Sequence, residues 1–413
     1  MSLVKNTLGS GQVLGLIIGS MWAAVLVLTT SVMLAFATGA GFKPDWSAAL
    51  IMGAVVGPVL VWRGANPSNR SQVLLIAVLA TLLVMALSAM QPFGLSVAEH
   101  TKAQLIGLVV LGLMLSLSLS KMLQPLSLGV QSRHDVEQAV INASMGFGYL
   151  VFSAMVLIPF YVMVMTSLKS QQQLLMNPLD FSLDLSLGWD LFRSYTELFR
   201  DFNFGVYLLN SFMVAIATVI ITLLFSAPGA YAVARLKFRG RASMSRGILL
   251  IYMVPMIVLA LPIYIVFSML EMRNSLIGIL LIYPVTTIPV ALYMLQGYFR
   301  GLPEEVEEAG LMDGLSRIGV IIKITLPLAL PALASVSLYV FMIAWNEFLL
   351  AFMLLDDPST FTLTRGVSML NSSEVPRQHL MAGAVISTIP IMMIFLFLER
   401  FMSGGLTAGS VKG

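Results

Sequence analysis

"EEAGLMDGLSRIGVIIKITLPLALP" occupies Glu307 to Pro331. It opens with two carboxylates, crosses Asp313-Gly314, and ends in an apolar ramp marked by Pro327 and Pro331. Acid in a first turn suits a helix N-terminus, where the macrodipole favours negative charge. Pro303 just upstream suits a helix start, and Asp-Gly is a turn signal. The stretch therefore reads as a short polar helix, a hinge, and an amphipathic helix, "LSRIGVIIKITL", ending near Pro327. Its setting decides the fold.

That setting is apolar. Of 413 residues, 58% are hydrophobic and 10% charged, against about 25% charged in soluble domains. Too few charges remain to cover a water-facing surface, so lipid is the main solvent and the chain is an all-α integral membrane protein. With no cysteine, disulfides, thiol catalysis and Cys-ligated metals are excluded. His100, His134 and His379 are scattered, none in a metal-binding spacing. The net charge of +3 reads as membrane topology and not as nucleic-acid binding. Gly11 to Phe36 is longer than the apolar core of a signal peptide and reads as a first spanning helix.

Ten apolar stretches approach the span of about 20 residues that a bilayer needs. They cover approximately 12–37, 46–62, 72–91, 104–123, 145–168, 206–233, 247–270, 276–298, 330–355 and 380–399. With the N-terminus inside, 15 of the 23 Lys and Arg fall in inner segments. The sharpest signal is "RLKFRGRASMSR", Arg235 to Arg246, with five basic residues and no acid. This positive-inside pattern places both termini in the cytoplasm. A polar stretch, "QPLSLGVQSRHDVEQAVINAS", reads as a cytoplasmic linker, with a domain boundary near residue 140. Residues 1–140 then hold four spans and the linker, and 141–413 hold six spans. Gly11, Gly15 and Gly19, and Gly53 and Gly57, form GxxxG steps that let helices approach closely, here within the chain. The larger outer loops, 169–205 and 356–379, either cap the spans or meet an external partner.

By this topology residues 300–330 project into the cytoplasm. Glu304, Glu305, Glu307 and Glu308 lack the alternating spacing of a calcium loop, and nothing nearby completes an acid–base pair. The alternative to a functional unit is an ordinary solvated loop. Glu308-Ala309-Gly310, three residues, Gly314, nine residues, then Ile324-Thr325-Leu326-Pro327 resembles the EAA motif, EAA-x3-G-x9-I-x-LP, of the membrane subunits of bacterial ABC importers. Gly310 stands where the motif has a second Ala. "SAPGAYAVARLKFRGR" (Ser226 to Arg241), "YMLQGYFRGLPEEVEEAG" (Tyr293 to Gly310), "AWNEFLLA" (Ala344 to Ala351) and "GGLTAGSVKG" (Gly404 to Gly413) are similar to MalG-type permeases of carbohydrate importers. The resemblance covers roughly residues 145–413 and leaves the first 140 outside it.

The resemblance implies a six-helix type I importer core preceded by about four extra helices, about ten in all, in the bacterial inner membrane. It implies a MalF-like permease partner, two ATPase subunits and an external sugar-binding protein, with maltose-like or α-glucoside sugars as substrate. It also implies that Glu307, Glu308, Ala309, Gly310, Asp313, Gly314, Ile324, Leu326 and Pro327 couple to the ATPase. The C-terminal Gly405, Leu406, Thr407 and Lys412 are expected to reach the same motor on a flexible tail. No cofactor is expected in this chain. It has no GxxxxGK[ST] loop for ATP phosphates, which leaves ATP to the partner subunits, and no HExxH or GxSxG motif suggests an enzyme. Trp345, Asn346 and Glu347 are candidates for the sugar path, because an acid within a span is costly unless it serves function or is paired. The rival class, a secondary transporter or channel, usually shows an ion relay or an inverted repeat, whereas Glu347 stands nearly alone here.

Overall fold

The computed structural model describes residues 10–39, 42–62, 75–76, 78–79, 82–83, 101–177, 182–183, 185–252, 254–370 and 375–406. Among them the secondary structure is helical, with one isolated bridge between Ser10 and Val130. Among the described residues, six helices are long and apolar enough to cross a membrane, or seven if a bent pair counts as one span. The expected span at 72–91 lies largely outside the described residues. Two compact units divide between Leu191 and Phe192.

The first unit holds α1 (Gly11–Thr38), α2 (Trp46–Trp62), α3 (Thr101–Met122) and α4 (Arg133–Ser167), followed by the short α5 (Gln171–Met176). The Ser10 side chain accepts from the Val13 amide at the start of α1, and Gly39 ends it with φ 72°. A left-handed residue at this place is easiest for glycine. The α1–α2 contact is set by the glycine steps. A Cβ at Gly19 or Gly53 would strike the other's carbonyl, and a Cβ at Gly57 would strike that of Gly15. Trp22 crosses to α3, its Nε1 donating to Ser118 Oγ at 2.6 Å. Leu26, Met52, Leu60, Leu111, Leu115 and Leu119 fill the core between the three helices.

The expected linker is partly helix. α4 starts at Arg133 and runs without a break through residue 140 into the apolar segment. Ser132 accepts from the Asp135 amide while the Asp135 carboxylate accepts from the Ser132 amide, a reciprocal cap that nucleates the helix early. None of the most apolar stretch of α4 is buried in this chain.

The second unit contains α6 (Arg193–Asp201), α7 (Phe204–Arg235), α8 (Arg241–Tyr252), α9 (Met256–Met269), α10 (Leu276–Gly301), α11 (Glu304–Met312), α12 (Arg317–Val320), α13 (Leu330–Asn346), α14 (Leu349–Leu354), α15 (Leu363–Leu370) and α16 (Arg377–Leu406). α7 packs along α10, with the Thr222 and Thr287 hydroxyls 2.6 Å apart in the buried seam. α13 packs on α7 and α16. One core gathers Phe204, Tyr283, Phe341, Trp345 and Phe361; a second gathers Tyr231, Leu295, Phe299, Val336 and Val340.

Two expected spans are interrupted. The stretch 247–270 divides into α8 and α9 around Pro255, which has no amide to donate and disfavours helix at the residue before it. The stretch 330–355 divides at Glu347, whose ψ of 122° ends α13 before α14 begins.

Candidate functional site

The segment between α10 and α13 forms a folded hairpin. Glu304, Glu305 and Glu307 occupy the first turn of α11 behind Pro303, where the helix N-terminus favours their charge. The helix ends in a Schellman turn: the Gly314 amide donates to the Leu311 carbonyl and the Leu315 amide to that of Gly310, both at 3.1 Å. The turn holds Gly314 at φ 87°, a conformation costly for side chains. Ser316 then caps α12 by accepting from the Gly319 amide at 3.1 Å. A π-helical turn, Ile321–Thr325, follows. Leu326–Leu328 completes the rise, and the chain bends by 74° into α13.

Gly310 explains its own size. It is buried, and a Cβ there would press on the Ile324 side chain and lie 3.3 Å from that of Val320. The small residue at the motif's third position lets α11 lie on the segment that follows. Ile324 and Leu326 are half-buried, whereas Glu308, Ala309, Asp313, Gly314 and Pro327 are exposed. Beside them stand exposed apolar side chains, with Met312 88% and Ile318 69% accessible and Ile322 also open. The hairpin thus presents exposed carboxylates, Glu308 and Asp313, beside a hydrophobic tip. Large apolar groups left open amid polar ones mark interaction surfaces.

Glu307 differs from its neighbour Glu308. Its side chain is only 14% exposed. Oε2 accepts from the Tyr231 hydroxyl at 3.0 Å, and Oε1 accepts from Thr325 Oγ1 at 3.1 Å and faces Arg235 Nε at 3.5 Å. Arg235 is 6% exposed and also binds Glu304 Oε1 at 2.9 Å and the Leu302 carbonyl at 2.5 Å. Arg235 belongs to the basic run that marks topology, yet its guanidinium turns inward. Tyr231, Arg235 and Thr325 are site residues that composition alone does not flag. The available signal is an arginine closing an apolar helix while an acidic first turn stands elsewhere in the same loop set.

The sugar-path candidates separate as well. Trp345 is buried, stacked on Phe341, its Nε1 donating to the Ser387 carbonyl at 3.1 Å. The Glu347 carboxylate accepts from the Leu350 and Ala351 amides at 2.8 and 3.1 Å and from the Tyr283 hydroxyl at 2.8 Å. It therefore starts α14 and ties it to α10. Asn346 is exposed and donates to the Met342 carbonyl at 2.8 Å. Of the C-terminal candidates, Gly405 and Leu406 end α16, and Thr407 and Lys412 lie outside the described residues. The expected flexible stretch after the last span is helical through both Gly404 and Gly405. Among the described residues no group of three acidic or His side chains is placed to hold a metal.

Residues 226–406 match the family model described as "Binding-protein-dependent transport system inner membrane component". The chain is 35% identical to the inner membrane ABC transporter permease protein YcjP of Escherichia coli (strain K12), over 64% of this chain and 95% of that one. It is 32% identical to the trehalose/maltose transport system permease protein MalG of Thermococcus litoralis, over 64% and 95%. It is 30% identical to the arabinooligosaccharides transport system permease protein AraQ of Bacillus subtilis, over 68% and 99%. A crystal structure of a bacterial ABC transporter that imports the acidic polysaccharide alginate shares the fold, with a TM-score of 0.55 at 23% identity over 65% of this chain and 98% of that one.

Proposed function

Because the chain belongs to the family of binding-protein-dependent transport inner-membrane components, as a multi-pass permease subunit of a carbohydrate ABC importer, we propose that residues 300–330 are its coupling element. In this reading the α11–α12 hairpin seats in a cleft of a separate ATPase, while a MalF-like second permease completes the path. An external binding protein delivers an α-linked disaccharide or oligosaccharide of the maltose or trehalose type. Relatives named for such sugars support that class. Both termini lie in the cytoplasm in this reading, as the basic run Arg235 to Arg246 favours. The first 140 residues, with about four further spans, serve lateral packing and assembly, because their glycines are spent on helix contact.

The single observation that carries the reading is the Gly314 turn. It closes the helix that carries the exposed Glu308 and Met312 at its surface. The test uses the purified importer complex in proteoliposomes, with sugar uptake and ATP hydrolysis measured together. Gly314→Pro and Glu308→Lys are expected to abolish sugar-stimulated hydrolysis and uptake, with normal membrane insertion. Wild-type uptake in both variants rejects the coupling role. Calorimetry of the cognate binding protein against maltose and trehalose tests the sugar class separately.

A further inference from the structure

We propose that Glu307, with Tyr231, Arg235 and Thr325, is an internal transmission clamp of the importer and not part of the surface that docks on the ATPase. The proposal rests on the coupling reading above and assigns one of its residues a different task. Two adjacent glutamates start from the same helix turn and face different ways. Glu308 is open, whereas Glu307 is largely covered and accepts from two hydroxyls with a guanidinium alongside. Each carboxylate oxygen accepts from one hydroxyl, and the side chain is only 14% exposed beside the guanidinium, so little of it is open to a partner chain.

The donors come from two different helix ends. Tyr231 and Arg235 form the last turns of α7. Thr325 closes the π-helical turn just before the 74° bend into α13. Arg235 also grips Glu304 and the Leu302 carbonyl, so both sides of the α10–α11 junction are tied to α7. Single π turns inside helices are strained and recur at functional sites, and here the clamp is fastened to one. Any displacement of α11 is therefore carried to the end of α7 and to the hinge of α13 through one carboxylate. The Gly310–Ile324 contact holds the same two elements by packing, but without charge or direction.

The clamp is a positioning device, so its test needs a readout beyond folding. Glu307→Gln keeps the size and can still accept from the two hydroxyls, but it removes the charge facing Arg235. Arg235→Gln removes the other half. In the complete importer complex, each variant is expected to copurify with its ATPase as the wild type does. Each is expected to hydrolyse ATP at the basal rate while transporting about tenfold less sugar per ATP, equivalent to about 1.4 kcal/mol of lost coupling. The Glu307→Gln/Arg235→Gln double variant is expected to be no worse than either single one, because the partners act as a unit. Hydrogen exchange of the Val306–Met312 amides is expected to rise in both single variants. A wild-type sugar-to-ATP ratio in Glu307→Gln overturns the proposal. So does loss of ATPase copurification in Glu307→Gln, which makes Glu307 a docking residue. Glu308→Lys run alongside separates the two levels: if it too leaves coupling untouched, the coupling reading itself has failed.

Discussion

The two compact units solve the same problem, helix packing in lipid, by opposite chemistry. In the first, α1 and α2 meet backbone to backbone through Gly15, Gly19, Gly53 and Gly57. The ion pair identified among its described residues, Arg133 with Glu137, is exposed. In the second, helix ends are tied by polar side chains: Arg235 pairs with Glu304 and Glu307, Arg273 pairs with Asp356, and His379 hydrogen-bonds Glu197. In lipid, apolar contact between helices gains little over contact with acyl chains, so association leans on close packing and polar ties. Close packing holds one geometry. Polar ties at helix ends occur in the unit that carries the α11–α12 hairpin.

The largest effect should come from forcing the glycine contact apart. Gly53→Leu places a side chain against the Gly19 carbonyl with no void to take it. Overpacking of this kind costs about 3 kcal/mol, at the upper end of its usual range. Limited proteolysis should show early cleavage within the first unit, while sugar transported per ATP stays at the wild-type value. Wild-type protease resistance would show that the close approach is dispensable. A fallen sugar-to-ATP ratio in an intact complex would show that the first unit shares in transport and would break the contrast.

What the sequence discloses follows the same division. Runs of apolar residues and the Asp313-Gly314 turn are local signals, so α1, α7, α10 and the α11–α12 hairpin stand close to where hydropathy and turn chemistry put them. Breaks that depend on a single backbone angle are less visible. Glu347 interrupts an otherwise continuous apolar stretch because its carboxylate collects the Leu350 and Ala351 amides, a tertiary choice that hydropathy does not record. The early start of α4 was open to reading, since Ser132-Arg133-His134-Asp135 carries a capping signature that outweighs its polarity. The inward turn of Arg235 was not, because a basic residue at a helix end signals topology whether or not it is buried.

A middle-sized effect separates structure from transport at Glu347. Glu347→Ala strands the Leu350 and Ala351 amides and the Tyr283 hydroxyl. Unmet buried donors cost about 1–3 kcal/mol, so thermal unfolding of the complex should start several degrees lower. Glu347→Gln keeps an acceptor and should recover much of the loss, with KM for sugar unchanged in both variants. A large rise in KM for Glu347→Gln, at unaltered stability, would move this carboxylate from scaffold to sugar path.

The smallest effect concerns the tie between α6 and α16. Glu197 accepts from Arg193 Nε at 2.7 Å and meets His379 Nε2 at 2.7 Å. The Arg193 hydrogen bond, with a further contribution from His379, holds its carboxyl below the ordinary glutamate range, against a smaller opposing effect of burial. A carboxylate depressed in the folded state stabilises it above the unfolded-state pKa, and that stabilisation is lost as pH falls through the folded-state value. The window therefore lies below about pH 4.3. The pair is partly open to solvent, so its worth near neutrality is about 0.3–1 kcal/mol. Glu197→Gln should lower Tm slightly at pH 7, with the gap to wild type closing as pH falls toward 3. A gap that persists unchanged at low pH would show that Glu197 holds α6 to α16 by shape and not by charge. The second unit would then rely on packing at this end, as the first does where α1 meets α2, and the ionic ties would narrow to the α11–α12 hairpin and the Arg273–Asp356 pair.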